Sequence, residues 1–177
     1  MWIKQLFRKN KVVCEKGLSE NEIERIQEIY SIVFPKRLKE FLMCALPVSE
    51  GFYNWRDFSD ENILFIKNKL KEPFDDIYMY AEEVYWCDNW GKKPDKKEEI
   101  EKEVKCRLKE APVLIPVYMH RYMPMVKEDN PPVLSVYGVD VIYYGENFDK
   151  YLEMEFGNEG NRTVGQCSFI PFWSEIM

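Results

Sequence analysis

Val133-Leu134-Ser135-Val136-Tyr137 and Val141-Ile142-Tyr143-Tyr144 are two short runs of β-branched and aromatic residues, and Val113-Leu114-Ile115-Pro116-Val117-Tyr118 is a third. Residues of this kind fit the pleated surface of a strand. Pro116 offers no backbone N–H, which assigns its run to a sheet edge or a bulge. Before residue 110 the period is helical instead. Ser19 and Glu22 form a capping box, and Ile23, Ile26, Tyr30 and Val33 follow on one face of a helix over 19–33. Pro35 ends it. A short helix over 36–43 turns Leu38, Phe41 and Leu42 inward, and a loop follows over 46–57. The next helix starts at Ser59, carries Ile63, Ile66 and Leu70, and is bounded by Pro73. Residues 74–86 fit helix and strand equally. Asp95 with Glu98 caps a peripheral helix ending near Leu108, with Ile100, Val104 and Leu108 as its stripe and Glu98–Lys102, Glu101–Lys105 and Glu103–Arg107 as i,i+4 pairs. Phe148, Tyr151, Leu152 and Phe156 mark a last helix stopped at Gly157, and 169–173 reads as a terminal strand. Helices first and strands second make the class α+β.

The length of 177 residues favours one domain, with enough core to need no disulfide or metal staple. With 31 acids against 25 Lys and Arg, the net charge of −6 argues against direct nucleic-acid binding, which draws its affinity from cations on phosphate. Residues 1–16 form a basic amphipathic segment in which Trp2, Ile3, Leu6 and Phe7 sit among Lys4, Arg8, Lys9, Lys11 and Lys16. Such a start touches a membrane surface or, the commoner case, packs on its own domain or frays. Charges break it too often for a signal-peptide core, and no apolar run is long enough for a membrane span, so the expected compartment is the cytoplasm. There the sequon Asn161-Arg162-Thr163 is a chance match. Five scattered cysteines without a C-x-x-C pair read as cytosolic thiols.

Catalytic and ligand-binding patterns are sparse. His120 is the only histidine and has no cysteine at zinc-site spacing, so no metal is expected. A Cys/His catalytic pair is formally open, but a hydrogen-bonded structural role is the simpler account of His120. Gly157-Asn158-Glu159-Gly160 lacks the lysine of a phosphate-binding loop, and no cofactor is expected. Charge placement stands out more. Residues 72–88 hold Glu72, Asp75, Asp76, Glu82, Glu83 and Asp88 with no cation, and residues 140–159 hold six acids against Lys150 alone. Together these form either ordinary solvated surface or an acidic face that orients a basic partner. Trp55, Trp86 and Trp90 lie beside Asp57 and Asp88 in loop contexts, where tryptophan either anchors a partner or caps a core. The candidate partner-binding residues are therefore Trp55, Asp57, Asp75, Asp76, Glu82, Glu83, Asp88 and Trp90.

Several segments, in order, resemble the SUKH superfamily, the Smi/Knr-type proteins of bacterial toxin immunity and fungal cell-wall regulation. They run from Gly17-Leu18-Ser19 through Phe34-Pro35 and Leu38-Lys39-Glu40-Phe41-Leu42 to Phe52-Tyr53-Asn54-Trp55-Arg56 and the helix over 59–70. Then come Trp86-Cys87-Asp88-Asn89-Trp90-Gly91, Ala111-Pro112 with His120-Arg121-Tyr122, residues 132–144, and Ile170-Pro171-Phe172-Trp173. The resemblance implies one such domain over 17–177, preceded by the basic segment 1–16, with a mixed, largely antiparallel sheet packed by helices. It also implies a non-catalytic immunity protein that binds and neutralises a cognate secreted or polymorphic toxin, expected to be a basic nuclease domain. The alternative is an adaptor for a cell-wall or signalling protein. A homodimer stays open, and the resemblance transfers no binding residue.

Overall fold

The three β-branched runs form strands, and a fourth strand joins them. The computed structural model describes residues 2–157 and 163–177; the sequon at Asn161 and Arg162 and the loop positions Asn158, Glu159 and Gly160 lie outside the described residues. In chain order the elements are α1 (Trp2–Lys9), β1 (Cys14–Lys16), α2 (Glu20–Tyr30), α3 (Lys36–Cys44), β2 (Ala45–Pro47), α4 (Asp60–Met79), α5 (Lys97–Leu108), β3 (Leu114–Tyr118), β4 (Arg121–Pro124), β5 (Val133–Tyr137), β6 (Asp140–Gly145) and α6 (Phe148–Phe156), with a 3-10 turn at Asp88–Trp90. No helix among them is long and apolar enough to cross a membrane.

Strands β3 to β6 form one sheet in sequential order, and β1 pairs with β2 in a second. Every pairing is antiparallel rather than mixed; in the larger sheet short connections return each strand beside its predecessor without a crossover. As Pro116 foretold, β3 is an edge strand, and its register with β4 shifts between Pro116 and Tyr118.

Both faces of the larger sheet are buried. Alternation sends Ile115, Val117, Met123 and Val133 to one side, where they meet Phe7 of α1, Ile23 and Ile26 of α2, Leu38 and Phe41 of α3, and Phe148 and Leu152 of α6. The opposite face, with Leu114, Tyr122, Leu134, Val136 and Val141, packs on Val104 of α5 and on Ile170, Phe172, Trp173 and Ile176. Helix α4 serves both layers, giving Ile66 and Leu70 to the first core and Ile77 to the second. The basic start is part of the body: Phe7 is buried edge-on against Phe41 and Phe156.

Several local expectations are corrected. The capping box at Ser19 forms, but α2 stops at Tyr30 because Ser31 turns left-handed at φ 55°, leaving Val33 64% exposed. Pro73 does not bound its helix. α4 runs on through it to Met79, which makes the first part of 74–86 helical. A proline there forfeits one helix hydrogen bond, at about 3 kcal/mol in an isolated helix, and the burial of Ile77 beyond it offsets that cost. α5 starts at Lys97 with no side-chain cap from Asp95, although Glu101–Lys105 and Glu103–Arg107 pair. Residues 171–175 are turns, not a strand, with Phe172 at φ 64°.

Two contacts fix the frame. Arg56 joins the acids Glu15 and Glu22 and donates to the carbonyls of Lys16 and Gly17, tying β1 and the start of α2 to the loop before α4. The Arg56 guanidinium and the Ser19 N–H hold the Glu22 carboxyl down from 4.5 to about 2. That stabilisation is complete above pH 4.5 and lost as pH falls toward 2. Glu22→Gln is therefore expected to lower the melting temperature at pH 7, with the difference from the parent shrinking steadily between pH 4.5 and 2. At the other end, a Cβ on Gly145 would sit 2.6 to 2.9 Å from Cβ, Cα and N of Tyr151, so β6 and α6 meet backbone to backbone. Gly145→Ala should cost about 1–3 kcal/mol in urea unfolding.

Candidate functional site

In a sequentially ordered antiparallel sheet, alternate turns fall at the same end. The β3–β4 turn at Met119-His120 and the β5–β6 turn at Gly138-Val139 are therefore neighbours, and the Val136 N–H donates to the His120 carbonyl at 3.0 Å. Met119 and Gly138 take left-handed φ values of 48° and 61°, as such tight turns require. The loop at 51–53 joins this end: Met119 N–H donates to Gly51 O at 2.7 Å, and Phe52 bridges to Tyr118. Gly51, at φ 89°, passes so close to the Tyr118 ring that a Cβ would lie 2.6 Å from it.

Between these turns and α4 lies a cleft of about 660 Å³. One face of α4 forms a wall through Phe65, Lys69, Glu72, Pro73 and Asp76, continued by Tyr80 just past its end, all spaced at helical intervals. Tyr53, His120, Tyr122 and Tyr137 face it from the loop and the sheet. The Tyr53 hydroxyl donates to the Met119 carbonyl, and its ring stacks on Phe65 at 5.9 Å. The rim is apolar and open, with Met119 55% and Tyr137 77% exposed, alongside exposed Phe65 and Tyr80.

Electrostatics inside the cleft are uneven. Lys69 pairs with Glu72 on its own helix. The Asp76 carboxyl is pushed up by burial, then by Glu72 and Asp75, against a smaller opposing pull from Lys69 and the nearby Gly138 N–H. Burial and Arg121 hold His120 below its ordinary 6.5, so the imidazole is neutral at pH 7; its ring meets Tyr137 edge-on at 6.1 Å. Burial raises the phenols of Tyr53 and Tyr122, and for Tyr122 the charges of Glu72 and Asp76 add to the effect. Among the described residues no Cys, Ser or Thr lines the cleft, and no group of three His, Cys, Asp or Glu is placed to hold a metal. Hydrogen-bond acceptors, aromatic faces and an apolar rim are what it offers.

The residues singled out from sequence are dispersed. Trp55 is only 3% exposed, edge-on to Tyr30 and Phe34 in the first core, so its ring has no free face for a partner. Trp90 is buried as well: Nε1 donates to Glu175, Arg107 lies over the ring at 4.7 Å, and Trp86 packs edge-on beside it. Asp57 is exposed but holds the start of α4, where the Ser59 N–H lowers its carboxyl pKa. Asp75 and Asp76, adjacent in sequence, lie on different sides of α4. Asp75 borders a separate groove with Tyr30 and Phe74, while Asp76 enters the cleft. Glu82 pairs with Lys97 at 2.6 Å, and Glu83 and Asp88 stand exposed. In the second acidic stretch Asp149 is held by Arg37, Glu153 by Lys150 and Glu155 by Arg121. Several acids of the two stretches are thus paired with cations of the chain itself. Asp76 is the one chosen residue that lies in the cleft; the wall around it shows in the spacing from residue 65 to 80 only once the helix is carried past Pro73.

No family model, curated protein or solved structure matches this chain.

Because the folded state raises the Asp76 carboxyl pKa, it holds that proton more tightly than the unfolded chain does. Stability therefore falls as pH rises from 3.8 through the raised value, and the ionised group is a liability at neutral pH. Asp76→Asn keeps the side chain's size and removes the charge. Its expected effect in urea unfolding at pH 7 is no loss, or a gain below about 1 kcal/mol.

Proposed function

We propose that this chain is a non-catalytic immunity protein of the cytoplasm, which binds and neutralises a cognate toxin through the cleft between α4 and the two sheet turns. The observation that carries the reading is the cleft itself. It combines an acidic side chain without a salt-bridge partner among the described residues with an exposed rim of Phe65, Tyr80, Met119 and Tyr137. Large apolar and aromatic side chains around a concave polar centre are the usual anatomy of a protein-docking surface. The segment-by-segment resemblance to SUKH immunity proteins supports a toxin as the partner. A nuclease is the favoured kind, since a surface built to hold phosphate is basic and an acidic cleft complements it.

The test is co-expression with candidate toxic domains encoded near the gene. Growth only when both are present supports the reading, and continued killing in the presence of folded protein refutes it. Within that assay Glu72→Lys with Asp76→Lys should abolish protection and weaken binding by about 100-fold or more, the range for breaking charge pairs in a buried interface. Asp75→Lys with Glu83→Lys and Asp88→Lys, outside the cleft, should leave protection unchanged.

A further inference from the structure

Resting on that docking reading, the geometry points to a specific occupant: we infer that the cleft receives an arginine side chain of the partner, held between tyrosine faces with its guanidinium against Asp76 and Glu72. Three features of the cleft favour arginine over other side chains.

The first is the acceptor set. Asp76 lies near the Gly138 N–H but enters no salt bridge among the described residues, so its lone pairs are open to a donor from outside. Glu72 is shared with Lys69 and has a second oxygen to offer. Two carboxylates facing one cleft suit the five-donor fork of a guanidinium.

The second feature is the set of rings. Tyr80 and Tyr137 line the opening and stand exposed, and the buried Tyr122 stays a neutral phenol close to both acids. Planar guanidinium stacks on such faces and sheds its hydration more cheaply than an ammonium does. The third is charge. Lys69 pairs with Glu72 and only partly offsets the charge of Asp76, and His120 is neutral, so the cleft keeps an excess of negative charge. The repulsion of Asp76 by Glu72 and Asp75 is what an incoming cation relieves.

His120 is the only histidine, so its ring protons give one resolved reporter inside the cleft. The full chain is titrated with N-acetyl-arginine amide, N-acetyl-lysine amide and the neutral isostere N-acetyl-citrulline amide while the His120 signals are followed by NMR. Arginine amide should shift them saturably at millimolar concentration, lysine amide more weakly, and citrulline amide not at all. Asp76→Asn should weaken the arginine response by about tenfold, as expected for one charged hydrogen-bond partner. Equal shifts from arginine and citrulline, or no saturable shift with arginine, overturn the proposal. If arginine is silent but the Glu72→Lys, Asp76→Lys pair still abolishes toxin protection, the arginine pocket fails and the docking reading stands. If arginine binds and that pair leaves protection intact, the pocket stands and the docking reading fails.

Discussion

The burial of the larger sheet on both faces is the constraint from which the rest of the architecture follows. Antiparallel sheets often leave one face in water and alternate polar with apolar along each strand. Here β3 is apolar at almost every position, and both of its faces are covered. Two separate layers must then be supplied on either side of one thin sheet, and the chain has few helices to do it with. α4 resolves this by running past the edge strand β3, with its first half in one core and its last turns in the other. Interrupting α4 at Pro73 would leave Ile77 without its core, so an element that helix propensity alone would break is held continuous by packing at both ends.

The same constraint places the cleft. Sequential strand order gathers the β3–β4 and β5–β6 turns at one sheet end, and α4 passes that end as it crosses from one layer to the other. The gap between the helix and two tight turns is where side chains remain without a core to fill. The α4 acids that face it are therefore solvated, yet surrounded by protein. This position between layers raises the Asp76 carboxyl pKa and lowers that of His120, in each case mainly through burial that disfavours the charged form.

Much of this was legible in the residues. The period change after residue 110, the capping box at Ser19, the edge character of Pro116 and the stop at Gly157 each rest on local chemistry, and each holds. What failed did so where tertiary packing outweighs a local signal. Pro73 reads as a boundary, Val33 as core, and 169–173 as a strand, because nothing local reveals the second core beneath α4 or the turns that follow Ile170. The short β1–β2 pair and β4 are too brief to show a period. The site suffered most from this. Runs of acids along the sequence are spread by a helix around its circumference, which is why Asp75 and Asp76 part, and the tryptophans that looked like anchors serve as core caps. The cleft is written in the i, i+4, i+7 spacing of residues 65 to 80, a pattern invisible while the helix ends at 73.

The central claim is that the partner sits in the cleft between α4 and the sheet turns. Hydrogen–deuterium exchange of the chain, alone and bound to a candidate toxic domain encoded near its gene, tests it most directly. The account predicts added protection at residues 65–80, 119–122 and 136–138, with residues 82–90 and the groove beside Tyr30 and Asp75 unchanged. Protection confined to residues 82–90 or to that groove, with the cleft exchanging as in the free protein, would contradict it.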